Sequence, residues 1–188
     1  MCKQGAIMTI ISDHDKTIYR QAASEAILSH LDQRDFNPQL FDALQQLDSA
    51  NDTCGVFITL KQSGQLRGCI GCITSKDPLY RTIPKYAINA AVHDPRFPAL
   101  TQDEFDQTDV YLSVLTEPRP VDSYRDIIIG THGMTYEYNH ARSVYLPEVA
   151  TEQGWDLETT LRSLAQKSGQ PAESFIDAEY TVFESIKF

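Results

Sequence analysis

Cysteine is scarce in this chain, four among 188 residues. That is too few for a disulfide framework, and a chain of this length buries a core without covalent staples, so the four read as thiols in a reducing compartment. Long apolar runs are missing as well. None approaches the roughly 20 residues of a membrane-spanning helix, and the start, Met1-Cys2-Lys3-Gln4-Gly5-Ala6-Ile7-Met8, lacks the apolar stretch of a secretory signal. The expectation is a cytoplasmic protein with no membrane partner. Positive charge is in deficit, with 16 basic against 26 acidic residues. The summed field repels phosphate backbones, which argues against nucleic acid. The acids form no long block, so they read as a solubilising surface. Neither a repeat nor a linker-like change of composition breaks the chain. The expected organisation is an N-terminal segment over residues 1–14 and one domain over residues 15–188.

What is present is a mixture of two periodicities. Over residues 15–31, Ile18, Tyr19, Ala22, Ala23, Ala26, Ile27 and Leu31 recur at helical spacing. Shorter helical patterns follow Asn37-Pro38 and Asp77-Pro78, the latter ending at Asp94-Pro95 because a residue before proline disfavours helical geometry. Residues 156–168 have acids in the first turn, Lys167 in the last, then Gly169 and Pro171. Thr101-Gln102-Asp103-Glu104 has capping-box spacing. Strand patterns occupy residues 54–61, 66–73, 109–115, 127–129, 134–138, 142–146 and 178–186. Turns at Gln62-Ser63-Gly64-Gln65 and Asn139-His140-Ala141 join four of them into two hairpins. Hairpins mixed with helices predict an α+β fold with mainly antiparallel sheet and flanking helices.

The second arm of the first hairpin, Leu66-Arg67-Gly68-Cys69-Ile70-Gly71, holds the candidate chemistry. Strict alternation puts Arg67, Cys69 and Gly71 on one face and Leu66, Gly68, Ile70 and Cys72 on the other. Leu66 and Ile70 are core-like, so Cys72 reads as a small buried hydrophobe while Cys69 shares a face with a guanidinium that favours its thiolate. Gly68 and Gly71 remove side chains on either side of Cys69, leaving room for a ligand or another backbone. Cys69-Ile70-Gly71-Cys72 has the spacing of a redox pair. In an extended strand, however, residues three apart are separated by about 10 Å, beyond the roughly 7 Å that a disulfide spans between Cα atoms. The same thiols are half of a zinc site, but His93, His132 and His140 lie at no metal-ligand spacing. No metal and no cofactor are expected.

The hairpin, with Gly55-Val56-Phe57-Ile58-Thr59-Leu60 before the Arg-Gly-Cys segment, resembles the hallmark of the AMMECR domain family, named for the AMME chromosomal region gene product. The likeness continues in order through Ala90-Ala91, Asp94-Pro95-Arg96-Phe97, Ser113-Val114-Leu115-Thr116, Gly130 with His132-Gly133, Leu146-Pro147-Glu148-Val149-Ala150 and Lys167-Ser168-Gly169. An ordered series is far more specific than any single motif. The chain departs from the family pattern at Cys72, where a small hydroxyl residue is usual. The resemblance implies two interlocked lobes with the Arg-Gly-Cys segment lining a cleft. Bacterial and archaeal members are similar to protein A of the AmmeMemoRadiSam system, which implies Memo-like and radical SAM proteins as partners.

Two roles fit these residues. In the first, Cys69 attacks an electrophile, Arg67 and Arg96 hold an anionic group of a small substrate, and His132 or His93 serves as base, with Asp94 orienting a base or ending its helix. In the second, the same cleft is a noncatalytic binding or interaction module and Cys69 is present for its size.

Overall fold

The computed structural model describes residues 11–188. Among them are six α-helices and eight strands in two four-stranded antiparallel sheets, the α+β class that the hairpin pattern predicts. Residues 1–10 of the expected N-terminal segment lie outside the described residues. No described helix is long and apolar enough to cross a membrane. The chain divides into two compact units, one comprising the chain to Val114 with Ile186–Phe188, the other Leu115–Ser185.

The first unit is layered. Helix α1 (Asp13–Leu31) starts two residues before the periodicity suggests, because the Ser12 side chain caps it by accepting from the Asp15 amide. After α2 (Pro38–Gln45) come β1 (Val56–Gln62) and β2 (Gln65–Cys72), then α3 (Leu79–Val92), the short α4 (Gln102–Phe105) and β3 (Thr108–Leu115). The sheet order is β2-β1-β3-β8, with β8 (Ser185–Lys187) supplied by the end of the chain. Val56, Ile58 and Leu60 of β1 are buried with the small residues Ala22, Ala23 and Ala26 of α1 and Ala87, Ala90 and Ala91 of α3 in one core. Small residues let backbones approach closely. A Cβ built on Gly68 would run into the Ala90 carbonyl oxygen, and one on Gly71 into the Val56 carbonyl and Phe57. The room beside Cys69 is therefore filled by the chain itself, the second of the two occupants that the glycines allow.

The second unit contains β4 (Arg119–Pro120), β5 (Gly133–Tyr138), β6 (Ala141–Tyr145), α5 (Pro147–Gln153), α6 (Leu157–Lys167) and β7 (Glu179–Phe183), in the sheet order β4-β7-β5-β6. Met134, Tyr136, Leu161, Leu164, Tyr180 and Val182 form its core. Two expectations are corrected here. Residues 127–129 are not a strand: a 3-10 turn over Tyr124–Asp126, capped reciprocally by Ser123 and Asp126, precedes them, and Ile128 is 57% exposed. Nor is 178–186 one strand. Glu184 breaks it, its N–H donating to Thr116 Oγ1 and its carbonyl accepting from the Thr116 amide, and the pieces on either side belong to different sheets.

The β5–β6 turn holds Asn139 and His140 at φ 47° and 64°. The left-handed region costs a residue bearing a Cβ roughly 1–2 kcal/mol. His140→Gly is therefore expected to stabilise the protein by about 0.5–1 kcal/mol, net of the extra freedom glycine gives the unfolded chain. Urea denaturation of the variant checks this, and an unchanged or lower midpoint contradicts it.

Candidate functional site

Cys69 lies on β2, an edge strand. It is half-buried and paired with Thr59 across the hairpin, its sulfur 3.3 Å from the Thr59 hydroxyl. An edge strand leaves peptide groups without partners, and at Cys69 both are taken. Its N–H donates to Asp94 Oδ2 at 2.8 Å, and its carbonyl accepts from Arg96 Nη2 at 3.1 Å. Asp94 in turn accepts from the Arg96 amide at 3.1 Å, from Nε at 2.9 Å and from Nη2 at 2.6 Å. The segment Asp94-Pro95-Arg96 is thus a clamp on one residue of β2, holding the peptide groups on both sides of the Cys69 Cα. Its acidic half is inside and its basic half outside: Asp94 is 4% exposed, whereas the Arg96 side chain is 54% exposed.

The electrostatics follow from this geometry. The Arg96 hydrogen bond, reinforced by the Cys69 and Arg96 amides, lowers the Asp94 carboxyl from its usual 3.8 to about 2 against the opposing effect of burial. Arg96 is raised, first by its hydrogen bond with Asp94 and more weakly by the Cys69 sulfur. Arg96 is therefore the guanidinium that bears on Cys69, through its carbonyl.

Arg67 departs from the alternation. Leu60 pairs with Gly68 and Lys61 with Leu66, so Arg67 is an extra residue opposite no partner, a bulge that re-aims its side chain. The same slip turns Leu66, expected in the core, outward to 41% exposure. Arg67 is itself 9% exposed. Its Nη2 donates to Glu104 Oε2 at 3.1 Å, and its guanidinium lies 5.9 Å from the centroid of the Phe97 ring, which Arg96 approaches to 5.5 Å. Nη1 of Arg67 is buried with no hydrogen-bond partner. Glu104 is held mainly by the capping box of α4: the same Oε2 accepts from the Thr101 amide at 3.0 Å and the Thr101 hydroxyl at 3.2 Å. Its carboxyl is lowered first by that backbone bond and then by Arg67.

The remaining candidates fall elsewhere. Cys72, paired with Val56, is half-buried, not the fully buried hydrophobe expected. Its hydrogen bond with Tyr86 is the first cause pushing that phenol up to about 12. Burial, with Asp52 and Cys72 adding to it, pushes the Cys54 thiol up to about 12. Cys54, Cys69 and Cys72 are free thiols. His93 caps the C-terminal end of α3, exposed, with Nδ1 3.2 Å from Asn89 Oδ1. His132 belongs to the second unit, where it is 5% exposed. Its Nδ1 accepts from the Ile128 amide at 3.1 Å, and Nε2 lies 3.5 Å from Arg119 Nη2.

Sequence reasoning missed Thr59 and Glu104 as site residues. Thr59 is recoverable from the hairpin, since a turn centred on Ser63-Gly64 sets it roughly opposite Cys69. Glu104 carried only a capping signal, and nothing in a 37-residue separation marks it as the Arg67 partner.

Comparison with known proteins identifies the family of the chain. The AMMECR1 family model matches residues 20–188. A protein of Methanothermobacter thermautotrophicus is 43% identical over 135 residues, covering 69% of this chain and 70% of that one. A protein of Nanoarchaeum equitans is 35% identical over 150 residues, covering 75% and 83%. The crystal structure of uncharacterized protein PH0010 from Pyrococcus horikoshii is similar with a TM-score of 0.78 at 30% identity, over 90% of this chain and 88% of that one. With the family model spanning nearly its whole length, this chain belongs to the AMMECR1 family.

Proposed function

We propose that the segment from Arg67 to Cys69 binds a small anionic ligand and that the Cys69 thiol is the group that reacts with it. The observation that carries this reading is the clamp. A buried carboxylate and its guanidinium are both engaged in fixing the two peptide groups that flank Cys69, which strand pairing alone does not call for. Fixing a nucleophile's backbone lowers the entropy of reaching its reactive geometry, and the Arg96 guanidinium sits on the Cys69 carbonyl.

A noncatalytic module is the second reading, and it too has support. Neither candidate base stands free, with His132 Nδ1 accepting from Ile128 and His93 beside Asn89. Alkylation separates the two. Under the first reading iodoacetamide labels Cys69 near neutral pH roughly tenfold faster than free cysteine, Arg96→Gln lowers the rate, and Arg96→Lys, which keeps the charge, largely preserves it. An ordinary rate indifferent to Arg96 leaves the binding module. Partnership with Memo-like and radical SAM proteins is proposed on the family resemblance alone, and copurification from cells expressing all three at native level tests it.

A further inference from the structure

We propose that Arg67 is a receptor for a planar carboxylate, which Glu104 occupies only in part. Arg67 in this role rests on the segment being a ligand site, and not on Cys69 being reactive. The unpartnered Nη1 carries the inference. A guanidinium presents donors in a rigid fork that matches a carboxylate through two parallel hydrogen bonds. Here one prong, Nη2, meets Glu104 and the other meets nothing, in a residue 9% exposed. A buried donor without a partner is rare and unfavourable.

Glu104 does not complete the fork because it is committed elsewhere. The oxygen that reaches Arg67 also closes the capping box on Thr101. Glu104 is also the movable member of the pair, its side chain 39% exposed against 11% for Arg67. A ligand carboxylate entering from that side takes both prongs and displaces the Glu104 carboxylate from Arg67 toward solvent. The Phe97 ring lies 5.9 Å from the guanidinium, within cation–π reach.

Charge sets the class of ligand. Asp94 is engaged by Arg96, so Glu104 is the counter-charge to Arg67. A monoanion that displaces Glu104 leaves the surroundings balanced, whereas a phosphate dianion brings an excess negative charge beside two carboxylates.

The test is a titration of the Arg67 Nε–Hε nuclear magnetic resonance signal with sodium acetate, sodium phosphate or sodium chloride at matched ionic strength. The signal is expected to shift saturably with acetate, more weakly with phosphate and not with chloride. Glu104→Gln, which preserves the capping box, is expected to tighten acetate at least about tenfold by removing the competitor's charge. Arg67→Lys, lacking the fork, is expected to abolish saturation. No saturation in either the natural protein or Glu104→Gln overturns the proposal, as does an equal response to chloride or phosphate binding as tight as acetate. Saturable acetate binding alongside an ordinary Cys69 alkylation rate sinks the reactive-thiol reading and leaves the receptor standing. A fast thiol with no acetate site does the reverse.

Discussion

Replacing Gly68 by alanine is expected to destabilise the first unit by about 3 kcal/mol, the upper end of what overpacking a core costs. The reason is local and geometric. The added methyl would occupy the position of the Ala90 carbonyl oxygen, which belongs to a helix backbone and cannot rotate aside as a side chain would. Relief requires α3 to lift from β2, and α3 packs against both arms of the hairpin and against α1. The Leu60 side chain, the next neighbour at 3.6 Å, is already in ordinary contact and offers no compensating space. A control at Gly64, where nothing lies within 4 Å of the added Cβ but φ is +79°, separates strain from collision: Gly64→Ala should cost about 1 kcal/mol. Equal effects at the two positions in urea denaturation would refute this account of the hairpin.

Asp94→Asn is expected to cost about 2 kcal/mol at neutral pH, the loss typical of removing charge from a hydrogen-bonded buried acceptor. An asparagine presents one acceptor oxygen where the carboxylate now serves Cys69 and three Arg96 donors. The pH dependence follows from the lowered carboxyl. Its folded value of about 2 lies below the usual 3.8, so the charged form stabilises the fold. That stabilisation is complete above pH 4 and disappears as pH falls through the folded value near 2. The shift corresponds to roughly 1–2 kcal/mol once screening at the half-exposed Arg96 is allowed for. Natural and variant stabilities should therefore converge between about pH 4 and pH 2. A constant difference across that range would place the effect of Asp94 in packing rather than charge.

The parts of the fold that were legible in the sequence are those set by local periodicity. The α1 stripe, the capping residues around α6 and both hairpins are stated by neighbouring residues and were realised. What was not legible depends on residues distant in sequence. The bulge at Arg67 is a matter of register against Lys61 and Leu60, so the alternation that put the guanidinium beside the sulfur broke at the one residue where it mattered. The split of the last strand at Glu184 depends on Thr116, 68 residues earlier. At the site, motif and spacing named Cys69, Asp94 and Arg96, but their connection through the backbone N–H and carbonyl of Cys69 is a property of a strand edge that no linear pattern encodes.

These features assign different tasks to neighbouring residues. Asp94 and Arg96 position Cys69, Gly68 seats the strand against α3, and Arg67 looks toward Glu104 and Phe97. The Cys69 sulfur is 3.3 Å from the Thr59 hydroxyl.

The most direct measurement is competitive labelling of the free thiols within one molecule, followed residue by residue by mass spectrometry in the natural protein and in Asp94→Asn. A clamped functional thiol predicts that among Cys54, Cys69 and Cys72 it is Cys69 that is labelled first and Cys54, whose thiol burial holds at about 12, last, with the Cys69 lead shrinking in the variant. Labelling of Cys69 no faster than Cys72, or a lead that survives loss of the Asp94 charge intact, would contradict it.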